Sequence, residues 1–319
     1  MKFFHLNGGK PNWPLAILTL AAVVVAYSVI GQLPLIFALV SSGLMTSGFE
    51  PTVGDMAETL GYNTFLTYLI IPFIFGLAVI MLSVKFIFKR PVFGLFTTRT
   101  YLDLNRVLLS FMIWFGIMGF FLIISYYSGS PLEWNFKSDT FFSLLLISLF
   151  LIPLQTTCEE VLFRGFLMQL LGPTFKKAWI SILLTGILFG VLHGANPEVQ
   201  KIGNILLIYY VMTGVFLGVM AQMDEGLELS IGYHAANNIF AALIVTNDWQ
   251  AFQTDALFMD RSGPQFGWDS LLTLIILQPA LLLLFSKIYG WKGWKEKLFS
   301  EPDIPEEEYI HSKDDHEEN

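Results

Sequence analysis

Residues 139–171, DTFFSLLLISLFLIPLQTTCEEVLFRGFLMQLL, combine a long apolar run with two adjacent carboxylates and an arginine. A helix of about 20 apolar residues crosses the hydrocarbon core of a bilayer, so this stretch is long enough to span a membrane. Each ionisable residue at the middle of such a helix costs roughly 2.5–3.5 kcal/mol on insertion scales. Glu159, Glu160 and Arg164 are costly to keep there, which indicates that the protein uses them.

Apolar runs of similar length occur along the rest of the chain on both sides of this segment. The fourth run stays apolar to Leu171, and none shows the strict alternation of a membrane β-strand. The sequence therefore predicts an all-α fold, a polytopic membrane helical bundle of about eight transmembrane helices. The candidate spans are 14–40, 62–84, 106–127, 139–160, 178–195, 202–222, 228–247 and 268–289.

The composition excludes several other classes of protein. Of the 319 residues, 54% are hydrophobic and 14% are charged, and the mean hydropathy is +0.61. A soluble domain carries about 25% charged residues, and a disordered chain lacks this hydrophobicity. A single cysteine, Cys158, excludes a disulfide scaffold.

The net charge of -8 comes from the end of the chain, because residues 301–319 hold nine acidic residues and one lysine. Residues 1–300 are therefore balanced and offer no basic face to a nucleic acid. We predict a transmembrane core over 1–298, with its motif region at 159–238, and an acidic, disordered tail over 299–319.

Lysine and arginine are concentrated in alternate loops. By the positive-inside rule, this pattern predicts that both termini are cytoplasmic, in an integral protein of a bacterial-type plasma membrane. The first apolar run is too long for a signal peptide and is predicted to be a retained span. The basic-rich loops are 85–106, 176–177 and 287–297, and the basic-poor loops are 47–61, 128–138, 196–201 and 248–267.

Polar side chains also interrupt the fifth and seventh runs. Residues four apart share a helix face, so Phe189 and His193 form one pair, and His234 and Asn238 form another. The same spacing lets Glu160 pair with Arg164. Glu159 is turned about 100° away from that pair and is left free to act as a general base.

Each group has a structural interpretation when it is taken alone. Glu160 and Arg164 can clamp two helices, His193 can be a hydrogen-bonded interior residue, and His234 with Asn238 can bridge helices. Taken together they suit one reaction. A glutamate and a histidine can activate water, and a histidine with an asparagine can stabilise an oxyanion. This chemistry is peptide-bond hydrolysis without a covalent enzyme intermediate.

Three ordered motifs, EExxxR at 159–164, FxxxH at 189–193 and HxxxN at 234–238, resemble those of the CPBP family. This family of intramembrane proteases is also called Abi or CAAX prenyl endopeptidase type II. The resemblance implies an all-helical core with an interior cavity, in contact with the lipid bilayer and with a membrane-associated or lipidated substrate. It also implies the residue roles: Glu159 and His193 activate the water, His234 and Asn238 form the oxyanion hole, and Glu160, Arg164 and Phe189 support them.

The resemblance leaves the cofactor open. The family is often labelled as metalloproteases, and Glu159, His193 and His234 match a catalytic His₂Glu zinc set. However, the chain has no HExxH motif, and asparagine is a poor zinc ligand. Glu159 cannot easily be both a zinc ligand and a free base. The sequence therefore favours catalysis without a metal and keeps zinc as the alternative.

Two other functions are compatible with these residues. One is a non-catalytic membrane scaffold or immunity-type binding protein on the same fold, and the other is a transporter with a Glu/His proton relay.

The depths of His193 and His234 in the membrane set a condition on the site, because both must reach the same level. His193 lies sixteen residues beyond Lys177, whereas His234 lies six or seven residues from the 223–227 turn. Their depths agree if 165–177 is partly interfacial.

Overall fold

The computed structural model describes residues 11–45 and 50–301, so the predicted tail lies outside the described residues from position 302 onward. Within the described ranges, seven helical segments are long and apolar enough to cross a membrane. They confirm the predicted all-α, polytopic membrane bundle. The segments are Trp13–Ser41, Tyr62–Ile87, Leu104–Tyr127, Ser138–Phe175, Ala178–Ala195, Ile205–Asp224 and Trp268–Tyr289.

The seventh predicted span, 228–247, is a shorter helix than the other seven. An α-helix over Glu228–Ile239 continues as a π-helical turn over Phe240–Ile244. It packs between the helix Leu104–Tyr127 and the helix Ile152–Glu160, and most of its first nine residues are buried. A helix enclosed by protein need not match the bilayer thickness, which explains its shortness.

Many of the spans contain a break or a π-helical turn, so their α-helical parts are shorter than the spans. Labels follow chain order. The α-helices are α1 Trp13–Val25, α2 Leu33–Ser41, α3 Val53–Leu60, α4 Tyr62–Leu82, α5 Leu104–Tyr127, α6 Ser138–Phe150, α7 Ile152–Glu160, α8 Gln169–Phe175, α9 Ala178–Leu192, α10 Pro197–Ile202, α11 Ile205–Asp224, α12 Glu228–Ile239, α13 Trp268–Leu272, α14 Gln278–Tyr289 and α15 Trp294–Phe299. The π-helical turns are Ala26–Ile30, Ser83–Ile87, Val161–Met168, Phe240–Ile244 and Thr273–Leu277, and the 3₁₀ turns are Val92–Leu95 and His193–Ala195.

A small sheet joins the basic-poor loops at one end of the bundle. Strand β3, Phe258–Asp260, lies between β1, Leu132–Trp134, and β2, Val245–Thr246; it pairs antiparallel with β1 and parallel with β2. Lys137 donates a hydrogen bond of 2.6 Å to Asp255, and this bond raises the pKa of the Lys137 ammonium group. Two loops that the charge pattern assigns to one side, 128–138 and 248–267, therefore lie together.

Charged residues join the basic-rich loops at the other end. Arg99 donates to Asp224 at 2.9 Å and to Glu228 at 3.0 Å, and the indole of Trp291 also donates to Asp224 at 3.0 Å. The loop before α5, the turn after α11 and the segment after α14 therefore meet here. Because α12 begins at this end and leads to β2 at the sheet end, it adds an eighth crossing to the seven long segments of the described residues.

The segment that the depth argument predicts to be interfacial, 165–177, packs against a loop at the basic-rich end. Gln169 donates to the carbonyl oxygen of Gly94 at 3.0 Å. A Cβ atom on Gly165 would lie 2.5 Å from the carbonyl oxygen of Leu95, so only glycine permits this approach. The segment therefore lies beside the turn Val92–Leu95, which is in the loop between the second and third spans.

Glycines bring α9 and α11 into close contact. A Cβ atom on Gly190 would lie 2.3 Å from Cγ2 and 2.8 Å from the backbone nitrogen of Val211. Gly186 meets Val215 and Gly214 in the same way, whereas a Cβ on Gly194 would make only an ordinary contact. Two of the three glycines at four-residue spacing thus serve helix packing, as small residues do in membrane bundles.

We expect Gly190→Ala to lower the free energy of unfolding by about 1–3 kcal/mol, because the new methyl group overpacks the contact between α9 and α11. Thermal unfolding of the purified protein in detergent measures the effect. Gly119→Ala on α5 is the matched control, since nothing lies within 4 Å of the added Cβ. Equal losses of stability in the two variants would contradict the close helix packing.

Candidate active site

The two glutamates of the first motif stand where a long helix changes its winding. α7 ends with Glu159 and Glu160, and the π-helical turn Val161–Met168 follows directly. A second π-helical turn, Phe240–Ile244, begins two residues after Asn238. Turns of this kind are uncommon and often accompany functional sites in helices.

Glu160 and Arg164 form a fully buried ion pair. Arg164 donates from one terminal nitrogen to Glu160 Oε1 at 2.9 Å, and both side chains are inaccessible to solvent. Its other terminal nitrogen donates to the carbonyl oxygen of Gly214 at 2.8 Å. The guanidinium carbon also lies 4.9 Å from the ring centroid of Phe189, within cation–π range. This pair therefore ties α7 to both α9 and α11.

His234 lies between the two carboxylates. Its Nδ1 is 2.9 Å from Glu160 Oε1, and its Nε2 is 3.4 Å from Glu159 Oε2. An ionised carboxylate only accepts hydrogen bonds, so Nδ1 is the donor towards Glu160. α12 thus delivers its histidine to the end of α7, and the first and third motifs meet through this ring.

Glu159 and Asn238 are linked by Gln155, which lies one helical turn before Glu159. Gln155 Nε2 donates to Glu159 Oε1 at 2.7 Å, and Asn238 Nδ2 donates to Gln155 Oε1 at 2.9 Å. The other oxygen of Glu159, Oε2, is buried and has no hydrogen-bond partner among the described residues. The Glu159 side chain is 12% exposed, in contrast to that of Glu160.

His193 reaches the site through aromatic contacts. Its ring centroid is 4.4 Å from that of Phe189, which in turn is 5.9 Å from the centroid of His234. His193 Nδ1 donates to the carbonyl oxygen of Phe189 at 2.7 Å, which leaves Nε2 as the acceptor. The ring of Tyr210 stacks on His193, with a centroid distance of 4.3 Å. The Tyr210 hydroxyl donates to Glu198 at 2.8 Å.

The structure brings every residue of the three motifs into one connected cluster. The roles assigned to them stay predictions. Sequence reasoning missed Gln155 and Tyr210, which contact motif residues directly. The four-residue spacing of Gln155 from Glu159 is a signal that could have identified the glutamine. The motif residues in the cluster are Glu159, Glu160, Arg164, Phe189, His193, His234 and Asn238.

The zinc set that the sequence keeps as the alternative consists of Glu159, His193 and His234. In the part of the chain that the structure describes, no group of three or more His, Cys, Asp and Glu side chains is arranged to hold a metal ion. His234 is held between Glu159 and Glu160, and His193 contacts Phe189 and Tyr210 rather than a carboxylate. Catalysis without a metal and the zinc alternative both stay predictions.

Comparison with known proteins shows what the segment that holds this cluster is similar to. Residues 140–240 match the family model of type II CAAX prenyl endopeptidase Rce1-like proteins, and this segment contains all three motifs. This match supports the resemblance to the CPBP, or CAAX protease, family, and the long apolar helices indicate an integral membrane protein. It is also similar to the uncharacterized protein YyaK of Bacillus subtilis (strain 168). The two are 29% identical over 281 residues, which is 86% of this chain and 91% of that protein. No solved structure matches the chain.

Proposed function

We propose that this protein is an intramembrane endopeptidase that hydrolyses a peptide bond of a membrane-associated or lipid-modified protein. The observation that carries the proposal is one cluster built from α7 and α12. In it Gln155 links Glu159 to Asn238 by hydrogen bonds, and His234 Nε2 lies 3.4 Å from Glu159 Oε2. A carboxylate, an imidazole and an amide in contact within a membrane bundle are costly to maintain without a use. The CAAX protease family supplies the reaction class.

Glu159 is the general base in this proposal. Its Oε2 is buried and free to accept a hydrogen bond from a water molecule. The carboxylate takes a proton as the water oxygen bonds to the carbonyl carbon, and the carbonyl electrons move to oxygen. His193 Nε2 accepts the second hydrogen bond from this water. When the tetrahedral intermediate collapses, the C–N bond breaks and the proton moves from Glu159 to the leaving amine.

Asn238 and His234 stabilise the negative oxygen of that intermediate. Asn238 uses one amide N–H for Gln155 and has a second N–H for the oxyanion. In this proposal His234 is an imidazolium, in which both ring nitrogens donate: Nε2 to the oxyanion and Nδ1 to Glu160. Donors held in place before the reaction act most strongly in a site that excludes water. The proposed chemistry uses only side chains of the protein and no metal ion.

We further propose that the basic-rich end of the bundle faces the cytoplasm of a bacterial-type cell. Arg99 and Arg106 lie at this end, with the lysines that follow α14. The other end carries the small sheet and few basic residues. The grouping of the loops in the structure supports the alternation of basic-rich and basic-poor loops. The positive-inside rule then assigns the basic-rich end to the cytoplasm.

A direct test uses the purified protein in lipid nanodiscs with a quenched fluorescent peptide that ends in a farnesylated CAAX sequence. The wild-type protein is expected to cleave it, and Asn238→Ala is expected to lower kcat by about 10²–10³-fold, as loss of one oxyanion donor does. Asn135→Ala is the control, because its side-chain amide donates to the carbonyl oxygen of Ala256 at the sheet end. Equal kcat values for the wild type and Asn238→Ala would contradict the proposed oxyanion hole.

A further inference from the structure

A directed chain of side-chain hydrogen bonds crosses three helices and ends on Glu159. The indole of Trp114 on α5 donates to Asn237 Oδ1 at 3.4 Å, and Asn237 Nδ2 donates to Asn238 Oδ1 at 3.3 Å. From Asn238 the chain continues to Gln155 at 2.9 Å and from Gln155 to Glu159 at 2.7 Å. Two of its members, Asn238 and Glu159, belong to the motifs, and the other three do not.

The two ends of the chain determine the direction of every bond in it. An indole N–H can only donate, and an ionised carboxylate can only accept. Each amide between them has one acceptor side and one donor side. If any amide were turned over, two donors or two acceptors would face each other. Trp114 and Glu159 together therefore set the orientation of Asn237, Asn238 and Gln155.

Burial makes this orientation costly to disturb. Trp114 is 3% exposed and Gln155 is 4% exposed. Hydrogen bonds are stronger in such an interior than in water, and an unpaired polar group there is correspondingly unfavourable. The bond to Glu159 is the shortest of the four, as expected for a bond that ends on a charged acceptor.

We propose that Gln155 is a positioning residue, held by Asn238, Asn237 and Trp114, that orients both the base and the oxyanion donor. This inference rests on the proposed peptidase function. Gln155 holds Glu159 Oε1 and so turns Oε2 towards His234. It also occupies one N–H of Asn238 and so fixes the direction of the other. One buried amide thus couples the two halves of the reaction, attack and charge stabilisation.

Loss of this amide is expected to affect turnover more than substrate binding. Gln155→Met keeps a side chain of similar length and removes both hydrogen bonds. A displacement of about 1 Å in a reacting group can lower a rate by about 10²-fold. We expect Gln155→Met to lower kcat by about 10–100-fold with little change in KM, measured with the farnesylated CAAX peptide in nanodiscs.

Gln278→Met is the matched control. Gln278 is 2% exposed and donates to Thr213 at 3.0 Å and to Tyr233 at 3.3 Å, neither of which is a motif residue or a member of the hydrogen-bond chain. The Gln278→Met variant therefore loses a buried glutamine with two hydrogen bonds, as the Gln155→Met variant does. A purely structural role for Gln155 predicts that the two variants have similar stabilities and similar kcat values, and that result would overturn the inference.

A second readout does not depend on cleavage. Dicyclohexylcarbodiimide is an apolar reagent that labels protonated carboxyl groups, and mass spectrometry of peptides locates the label on Glu159. Gln155 Nε2 occupies Glu159 Oε1, so removal of this contact frees the oxygen for the reagent and should increase labelling. We expect the initial labelling rate of Glu159 to rise severalfold in Gln155→Met and to stay at the wild-type value in Gln278→Met.

The two readouts separate the failure of this inference from the failure of the proposed function. If the wild-type protein does not cleave the peptide but Glu159 labelling rises in Gln155→Met, the peptidase proposal with this substrate fails and the orienting contact stands. If the peptide is cleaved and Gln155→Met matches Gln278→Met in either kcat or labelling, the positioning role is wrong and the peptidase proposal stands.

Discussion

Glu159→Gln is expected to lower the rate of peptide cleavage by about 10²–10⁴-fold while the protein remains folded, the range that a general base contributes. Glutamine keeps the size of the side chain and can still contact Gln155 and His234. It cannot take a proton from water. Cleavage of the farnesylated CAAX peptide in nanodiscs gives the rate, and thermal unfolding of the same samples checks the fold.

The control for this loss is Glu133→Gln. Glu133 is an exposed carboxylate that pairs with Arg261 at 2.8 Å at the sheet end. Removal of its charge leaves the cluster intact, so the rate is expected to stay within about twofold of wild type, because an exposed pair contributes about 0–1 kcal/mol. A Glu159→Gln variant that cleaves as fast as Glu133→Gln would exclude Glu159 as the base.

Arg164→Leu is expected to lower the free energy of unfolding by about 3–5 kcal/mol, the range found when one partner of a buried ion pair is removed. The cause is Glu160, which is inaccessible to solvent and loses its guanidinium partner. Gly214 loses its donor in the same variant. Unfolding in mixed micelles with increasing sodium dodecyl sulfate measures the change, with Arg261→Leu as the exposed control.

A double variant separates the lost charge balance from the lost packing. Glu160→Leu/Arg164→Leu removes both charges, so no uncompensated carboxylate stays buried. We expect it to be more stable than Arg164→Leu alone, because apolar replacement of a whole buried pair is often neutral or favourable. If the double variant were less stable than the single one, the buried charge would not be the cause of the destabilisation.

Local sequence patterns predicted most of the fold because a membrane helix is specified by a continuous apolar run. The predicted spans match helices in the structure, and α12 differs mainly in length. The sheet could not be predicted. Its strands β1 and β3 are three residues each and come from loops that are distant in the sequence. Such pairs form only after the helices have brought the loops together.

The site shows the same division between local and long-range information. Four-residue spacing predicted the contact of Glu160 with Arg164, since both lie on one helix. The position of His234 between Glu159 and Glu160 depends on how α12 crosses α7, and spacing within one helix contains no such information. The contacts of Gln155 combine both kinds: the bond to Glu159 is local, and the bond to Asn238 is not.

We propose that this protein hydrolyses membrane-associated or lipid-modified proteins in the cell. The most direct test compares the protein termini in membranes of cells that express the wild-type protein or Glu159→Gln at matched levels, by mass spectrometry. We predict new termini that occur only with the wild-type protein, and these would also identify the substrate and the cleaved bond. Identical sets of termini, with both proteins folded and abundant, would contradict the peptidase and favour the non-catalytic scaffold.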